Sequence, residues 1–282
     1  MRPLHTPYAG RHRPFSIAMA PLEEDVWLEV DDHRAADLAQ KAEIFASADD
    51  AFLAELDTEA AQAEALALVE EHLARRRLLA GVPAPAADAP PLMRAAMLVQ
   101  DDLTLMRRGE DGWRLAVSAV CFPTAWSPAE KFGRPMDAIH TNVPGWAGPM
   151  GTRVSRIFDQ LKPGALVWRL NWSLQFGDAM RRSLSKHTAP RPDGPMEALM
   201  VRVERQTLRK MPGSGDILFT VKILLDPIAA IARHPEAARL AAGLSDQLAG
   251  LSDAEVAYKG LTATRASILA RLSEIGAQAS AV

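Results

Sequence analysis

The most regular pattern in the chain is an alternation of apolar and polar residues that begins at Trp168. The even positions are apolar and the odd positions are polar, with Trp168, Leu170, Trp172, Leu174 and Phe176 set against Arg169, Asn171, Ser173 and Gln175. A period of two residues is typical of a β-strand, whose successive side chains point to opposite faces. The pattern therefore predicts a strand with one buried face.

Two hairpins are predicted, one on each side of this strand. Residues 198–208 and 216–225 flank Pro212-Gly213-Ser214-Gly215, a four-residue turn suited to joining antiparallel strands. Residues 98–106 and 113–121 flank a second Gly-containing turn, and the two-residue period puts one set of apolar side chains on a shared face: Trp113, Leu115, Val117, Ala119 and Cys121. The sheet is therefore predicted to be mostly antiparallel.

Helices are predicted at both ends of the chain and once in the middle. Residues from about 34 to 80 are rich in helix-forming residues, residues 148–161 predict a short helix, and two helices with a break near Gly250 follow residue 227. This order of elements favours an α+β fold over a βαβ nucleotide-binding fold. An Ala- and Pro-rich connector lies at 81–91. We divide the chain into an N-terminal arm and helical region (1–90), a sheet domain (91–226) and C-terminal helices (227–282).

Composition excludes several classes of protein. The 282 residues include one cysteine, which rules out an internal disulfide and a multi-cysteine metal site. A formal net charge of −3 provides no general attraction to nucleic acid. Neither the start of the chain nor any later segment has the apolar length of a signal peptide or a membrane span. We expect a cytoplasmic protein that binds neither nucleic acid nor membrane.

Arg205 is the first candidate site residue, because it breaks the pattern of its strand. Leu199, Val201 and Val203 form an apolar face, and the same period puts Arg205 on that face. A buried guanidinium needs a carboxylate or a phosphate-like partner, so an inward Arg205 predicts an anion nearby. The alternative is that the strand ends there and Arg205 reaches solvent.

Three further residues are candidate metal ligands. His140 lies in a loop that contains Pro and Gly, and such a loop can hold an imidazole at a fixed position against a metal. His187, in a more polar loop, is the second candidate. Cys121 is a weaker one: it is either a thiolate ligand to haem iron or, as is commoner for a lone buried cysteine, a small apolar side chain. The zinc-helix, phosphate-loop, dinucleotide-loop and nucleophile-elbow motifs do not occur.

Several segments resemble the haem-dependent oxidative N-demethylase family. The longest is Val203-Glu204-Arg205-Gln206-Thr207-Leu208-Arg209-Lys210-Met211-Pro212, followed by Ile217-Leu218-Phe219-Thr220-Val221. The others, in chain order, are 27–31, 121–126 with 131–135, and 139–145 before 169–172. The resemblance thus extends over nearly the whole chain, and its departures at Thr141-Asn142 and Lys210-Met211 leave His140 in place.

The resemblance implies a PAS-like antiparallel sheet with flanking N-terminal and C-terminal helices, which holds haem b in its concavity. It also implies the activity: oxidative removal of a methyl group from a small secondary amine such as dimethylamine. The oxidant is O₂, the electrons come from a separate flavin and iron–sulfur reductase, and formaldehyde is released. The alternative function is a haem-based PAS-like sensor or a ligand-binding protein without turnover.

The same resemblance suggests roles for particular residues. We expect His140 to ligate the iron and Arg205 to meet a haem propionate, which would provide the anion that an inward Arg205 needs. Trp168 and Trp172, on the apolar face of their strand, would pack on the macrocycle or simply fill the core. Glu204 is expected on the far face of the sheet, in a structural role.

Overall fold

The computed structural model describes residues 3–10, 14–184 and 194–280. The second candidate histidine, His187, lies outside the described residues.

Seven strands form one antiparallel sheet within the described residues. They are β1 (Ala20–Pro21), β2 (Phe52–Ala54), β3 (Asp102–Gly109), β4 (Gly112–Ala119), β5 (Leu166–Phe176), β6 (Leu199–Lys210) and β7 (Ile217–Pro227). Their order across the sheet is β1-β5-β6-β7-β3-β4-β2. The predicted strand and both predicted hairpins are confirmed, and the fold is α+β. The order of the five long strands is compatible with a PAS-like sheet.

Helices precede the sheet, follow it and interrupt it between β4 and β5. They are α1 (Arg34–Ser47), α2 (Glu59–Arg75), α3 (Pro91–Ala96), α4 (Pro128–Lys131), α5 (Met136–Ile139), α6 (Gly151–Gln160), α7 (Ile228–Ala232), α8 (Ala237–Ala249), α9 (Asp253–Lys259) and α10 (Arg265–Ser280). The predicted helix at 148–161 is confirmed as α6. No helix in the described ranges has both the length and the apolar character that a bilayer crossing requires.

Both predicted helical regions are divided, and the prediction of two helices after residue 227 is wrong. The region from 34 to 80 contains α1 and α2, and residues 52–54 between them pair with the edge strand β4 as β2. This pairing gives hydrogen-bond partners to the backbone groups along the open edge of β4, and the gain outweighs the helical propensity of the sequence. The C-terminal region is divided into α7, α8, α9 and α10, with the predicted break at Gly250 and a further one at Gly260, which has the left-handed backbone that glycine favours.

The β3–β4 hairpin contains an irregularity that changes which side chains share a face. The register shifts between Leu105 and Met106, so that Leu115 lies opposite Met106 while Val117 lies opposite Leu105. An extra residue in one strand reverses the facing of all residues beyond it. The prediction of one shared apolar face from Trp113 to Cys121 is therefore wrong: Trp113 and Leu115 pack on one side of the sheet, and Val117 and Ala119 on the other.

The two sides of the sheet are covered by different parts of the chain. We call the side that carries Trp172 and Val203 the back face; it packs on α2, α3, α8 and α10 in two large apolar clusters. Burying apolar side chains there contributes roughly 25 cal/mol per Å² removed from water. The opposite side, the front face, is covered by the segment between β4 and β5, which includes α4, α5 and α6. Both sides are therefore covered, although the polar row of β5 had suggested a single buried face.

Apolar packing on the front face is interrupted. One cluster contains Trp113, Trp146 and Phe158 with Leu208 of β6, and a smaller one contains Cys121, Phe122 and Ile223. Between them, Glu204 and Gln206 of β6 stay only half-buried. The front face therefore has polar side chains at its centre, where a second continuous core would otherwise lie.

Candidate functional site

A row of polar side chains crosses β5 and β6 on the front face. Arg169 pairs with Gln206 in register, and Asn171 pairs with Glu204. The side-chain amides of Asn171 and Gln206 both donate to Oε2 of Glu204, at 3.2 Å and 2.8 Å. All four residues keep partial exposure, while burial is the largest influence on the pKa of both Arg169 and Glu204. Partial exposure combined with strong desolvation is expected for the wall of a concavity.

Glu204 is an anion in this row. Burial by itself would raise the pKa of its carboxyl, but hydrogen bonds from Thr124, Asn171 and Gln206 and the positive charge of Arg202 hold that pKa below its usual range. The Arg202 guanidinium has its own fixed partners, among them the hydroxyl of Thr124 at 2.9 Å and the carbonyl of Phe122 at 2.7 Å. Glu204 is therefore an oriented carboxylate that can accept hydrogen bonds from a cation.

Arg169 provides an unmet donor in the same row. Burial lowers the pKa of its guanidinium, and its buried Nε has no hydrogen-bond partner in the described part of the chain. A buried donor without a partner costs roughly 1–3 kcal/mol, so such groups point to a missing acceptor. Two other buried groups on the front face, the hydroxyls of Thr104 and Ser118, also have no hydrogen-bond partner among the described residues.

His140 lies just after α5, on the front side of the sheet. Its ring nitrogen Nδ1 is 2.8 Å from the carbonyl of Met136, and because a carbonyl only accepts, Nδ1 carries the proton. Burial lowers the pKa of His140 to about 4, so the imidazole is neutral near pH 7. A neutral ring with Nδ1–H bound to a carbonyl leaves a lone pair on Nε2, which is the arrangement found in metal-ligating histidines.

Trp146 fixes the plane of this imidazole. The two rings are stacked, with centroids 4.0 Å apart and planes 17° from parallel. The indole nitrogen in turn donates to Oδ1 of Asp137 at 2.9 Å. Gly151 allows this arrangement, since a Cβ there would lie 2.8 Å from the Trp146 carbonyl oxygen. His140 is thus held at Nδ1 and against one ring face, as a preorganised ligand requires.

Arg205, predicted to point inward, does so and is 1% exposed, so the alternative that it reaches solvent is wrong. Its guanidinium donates to the carbonyls of Trp27 at 2.7 Å and Val26 at 2.5 Å, and its Nε lies 3.1 Å from Oε1 of Glu29. The expected anionic partner is therefore present within the chain, as a carboxylate on the back face.

The tryptophans predicted to contact haem also lie on the back face. Trp172 is fully buried against the C-terminal helices and donates to Oε1 of Gln247 at 2.7 Å. The guanidinium of Arg205 lies 5.6 Å from the centroid of the Trp168 ring. The structure thus brings Trp168, Trp172 and Arg205 to one side of the sheet and His140 to the other. Their contact with haem stays a prediction, and one flat ligand on the front face would not reach them.

Cys121 is buried in the smaller front-face cluster. Burial raises the pKa of its thiol to about 12, so the residue is a neutral thiol near pH 7. Its Sγ is 4.0 Å from the carbonyl of Lys41, and its backbone N–H donates to Asp102 at 2.8 Å. These surroundings favour the interpretation of Cys121 as a small apolar side chain over its interpretation as a thiolate ligand to haem iron.

Sequence reasoning missed the polar row as a site. Glu204 had been expected on the far side from the haem, but it shares the front face with His140. The available signal was the spacing of Arg169 and Asn171 and of Glu204 and Gln206, two residues apart in the resembling segments. Spacing shows which side chains of one strand share a face, but not which face is covered by the candidate ligand.

The comparison with known families is consistent with this geometry. The model of a family described as haem-dependent oxidative N-demethylase, alpha subunit-like, matches residues 80–269. The match includes β3 to β7, His140 and the polar row. It supports a function like that of a haem-dependent oxidative N-demethylase, and the term alpha subunit implies an enzyme of more than one subunit.

Proposed function

Because this chain belongs to the haem-dependent oxidative N-demethylase, alpha subunit-like family, we propose that it binds haem b on the front face and oxidatively demethylates a small methylated amine. The observation that carries the proposal is the neutral, oriented His140, whose unprotonated Nε2 shares the front face with an oriented carboxylate.

The residues of the front face fit a haem. His140 offers a single neutral nitrogen, the usual protein ligand of haem iron. Arg169 offers a cationic donor whose Nε lacks an acceptor among the described residues, which suits a propionate carboxylate. Apolar side chains flank the row, including Phe219 and Val143. We therefore assign iron ligation to His140 and propionate binding to Arg169 in place of Arg205.

Glu204 fits the substrate. Small secondary amines are protonated near pH 7, so their nitrogen is a cation with N–H donors. The carboxylate of Glu204 can accept such a donor, and the amides of Asn171 and Gln206 hold its Oε2 in place. A fixed carboxylate orients the amine so that a methyl group is presented in one direction. We propose that Glu204 sets the position and charge preference of the substrate.

The overall reaction needs an external source of electrons. Dimethylamine, O₂, two protons and two electrons give methylamine, formaldehyde and water. Bound haem supplies the chemistry that activates O₂. The chain's own residues bind and orient, and a partner reductase of flavin and iron–sulfur type would supply the two electrons.

Haem titration of the purified full-length protein tests the proposal. We expect a Soret band that saturates at one haem per chain. His140→Gly should lose or shift this band and regain it with added imidazole, while exposed His33→Ala should behave as wild type. A wild-type protein that stays colourless with haem would contradict the proposal.

Turnover is tested by formaldehyde release from dimethylamine with O₂ and a chemical reductant. Glu204→Gln should keep the Soret band but raise KM for the amine by roughly tenfold or more, the cost of losing one charge-assisted hydrogen bond. Stoichiometric haem binding without formaldehyde from any methylated amine would instead favour the sensor alternative.

A further inference from the structure

The structure contains a buried amine that the front-face site does not use, on Lys259 at the end of α9. The residue is 9% exposed, and its Nζ donates to the backbone carbonyl of Trp172 at 2.6 Å. The same nitrogen lies 4.7 Å from the centroid of the Trp172 ring and 5.1 Å from the centroid of the Phe15 ring. Within the described residues it has this one hydrogen bond and forms no ion pair. An ammonium has three N–H donors, so two of them lack an acceptor among those residues.

The other buried lysines in the described ranges have more acceptors. Lys222 is 2.8 Å from Oδ2 of Asp31 and donates to two further oxygen atoms. Lys41 donates to two backbone carbonyls. A buried ammonium normally requires such partners, and the contacts of Lys222 are those of a structural ion pair. Lys259 differs from both because it is a desolvated amine with little to hold it in the charged form.

Burial has the expected effect on the protonation of this amine. It lowers the pKa of Lys259 to about 8; the negative charges of Glu204 and Glu255 act in the opposite direction, and the positive charge of Arg169 adds to the lowering. About one tenth of the side chain is therefore the neutral amine at pH 7, against roughly 1 in 2,500 for an ordinary lysine. A neutral amine is a nucleophile, and desolvation is one way in which proteins activate lysines that attack carbonyl groups.

Phe15 covers this amine. Its side chain is only half-buried, and its ring packs edge-to-face on Tyr258 with centroids 5.5 Å apart. The backbone of Phe15 has a φ of +58°, in the left-handed region where a bulky residue is strained. Strain in this position lowers the cost of moving the ring aside. A small molecule can therefore reach the amine, while a bulky one meets the surrounding rings.

We propose that Lys259 is a covalent capture site for small aldehydes, which it holds as a Schiff base. The neutral Nζ forms a bond to the carbonyl carbon of the aldehyde, and the carbonyl oxygen leaves as water with the two protons of the amine. No oxidant or reductant is consumed. Formaldehyde, a product of the proposed function, belongs to this class of ligand, yet its capture requires neither haem nor turnover.

Reductive labelling of the purified full-length protein tests the inference. Cyanoborohydride reduces the imine of lysine and formaldehyde to methyl-lysine, and peptide mass spectrometry gives the labelling rate at each lysine of the same sample. The internal controls are Lys162, which is exposed, and Lys222 and Lys41, which are buried with more acceptors.

At pH 7 we expect Lys259 to be labelled roughly tenfold faster than Lys162, because the gain in neutral amine exceeds the loss of access. Lys222 and Lys41 should be labelled more slowly than both. The advantage of Lys259 should shrink as the pH rises towards 10, since exposed lysines then lose their proton. Labelling of Lys259 at pH 7 that is no faster than labelling of Lys162 would overturn the inference.

The role of Phe15 is tested by its removal and by the size of the aldehyde. Phe15→Ala should speed the labelling of Lys259 by formaldehyde several-fold. Benzaldehyde should label Lys162 but not Lys259 in the wild type, and both lysines in Phe15→Ala; equal labelling of Lys259 in the two proteins would overturn the route past Phe15. Failure of the proposed function is distinguishable, because absent haem binding or absent formaldehyde release would leave this labelling unchanged.

Discussion

Two arginines of the β5–β6 pair, Arg205 on the back face and Arg169 on the front face, allow a direct test of where haem binds. Arg205→Met and Arg169→Met each remove a guanidinium and keep an unbranched apolar side chain. Because the residues project from opposite sides of the sheet, the two substitutions should have separate consequences for folding and for haem binding.

Arg205→Met should destabilise the protein. The guanidinium is 1% exposed and has three partners: the carbonyls of Trp27 and Val26 and the carboxylate of Glu29. Removing one member of a buried charged pair costs about 3–5 kcal/mol, and the partial exposure of Glu29 favours the lower end. A loss of about 3 kcal/mol lowers Tm by roughly 6–12 °C in a chain of this size.

Arg169→Met should leave stability nearly unchanged or raise it, because a buried donor without a partner in the described chain is removed. Its effect should be on haem. A charge-assisted hydrogen bond to a propionate is worth about 1.5–3 kcal/mol, which weakens haem binding by roughly tenfold or more.

Circular dichroism melts of the haem-free proteins and haem titrations followed in the Soret region provide the two measurements. The reasoning is refuted if Arg205→Met melts like wild type but binds haem weakly, while Arg169→Met binds haem normally. That outcome would place the haem carboxylates beside Arg205 on the back face, as the family resemblance had implied.

Three further predictions concern other parts of the fold. Burial raises the pKa of Asp226 to about 6, so ionising this carboxyl destabilises the folded protein; the destabilisation is absent below about pH 4 and complete above about pH 6. Asp226→Asn should therefore be more stable than wild type by roughly 2–3 kcal/mol at pH 8 and equal to it near pH 4. A difference in Tm between the two proteins that does not change with pH would contradict this. Gly243→Ala puts a Cβ 2.6 Å from the Tyr8 carbonyl oxygen and should cost about 1–3 kcal/mol by forcing the N-terminal arm off α8. The same change at Gly276, where an added Cβ would meet no atom within 4 Å outside its own helix, should be harmless in the same melts. Cys121, with its thiol pKa raised to about 12, should react with a thiol reagent at neutral pH only when the protein is unfolded, and fast labelling of the native protein would show that its buried position is incorrect.

The sequence predicted the local elements well where a period was strong. The alternation from Trp168 gave β5, the Pro212 to Gly215 turn gave the β6–β7 hairpin, and Gly250 gave a helix break. It also offered an inward Arg205 as one of two interpretations, and the structure confirms that one. These features depend on residues close together in the chain, whose spacing fixes the facing of each side chain.

The sequence could not predict features that depend on distant partners. Phe52–Ala54 became a strand because β4 offered an open edge. The bulge at Leu105/Met106 reversed the facing of half of the first hairpin. Glu29, far from Arg205 in sequence, supplied the carboxylate that had been attributed to haem.

The assignment of the site shows the same division. The sequence by itself determined which residues share each face of β5 and β6, because a period of two is a property of one strand. Only the tertiary structure decided which face meets His140, since that depends on how the segment between β4 and β5 folds back over the sheet. The polar row therefore became the candidate site, and the apolar row became core.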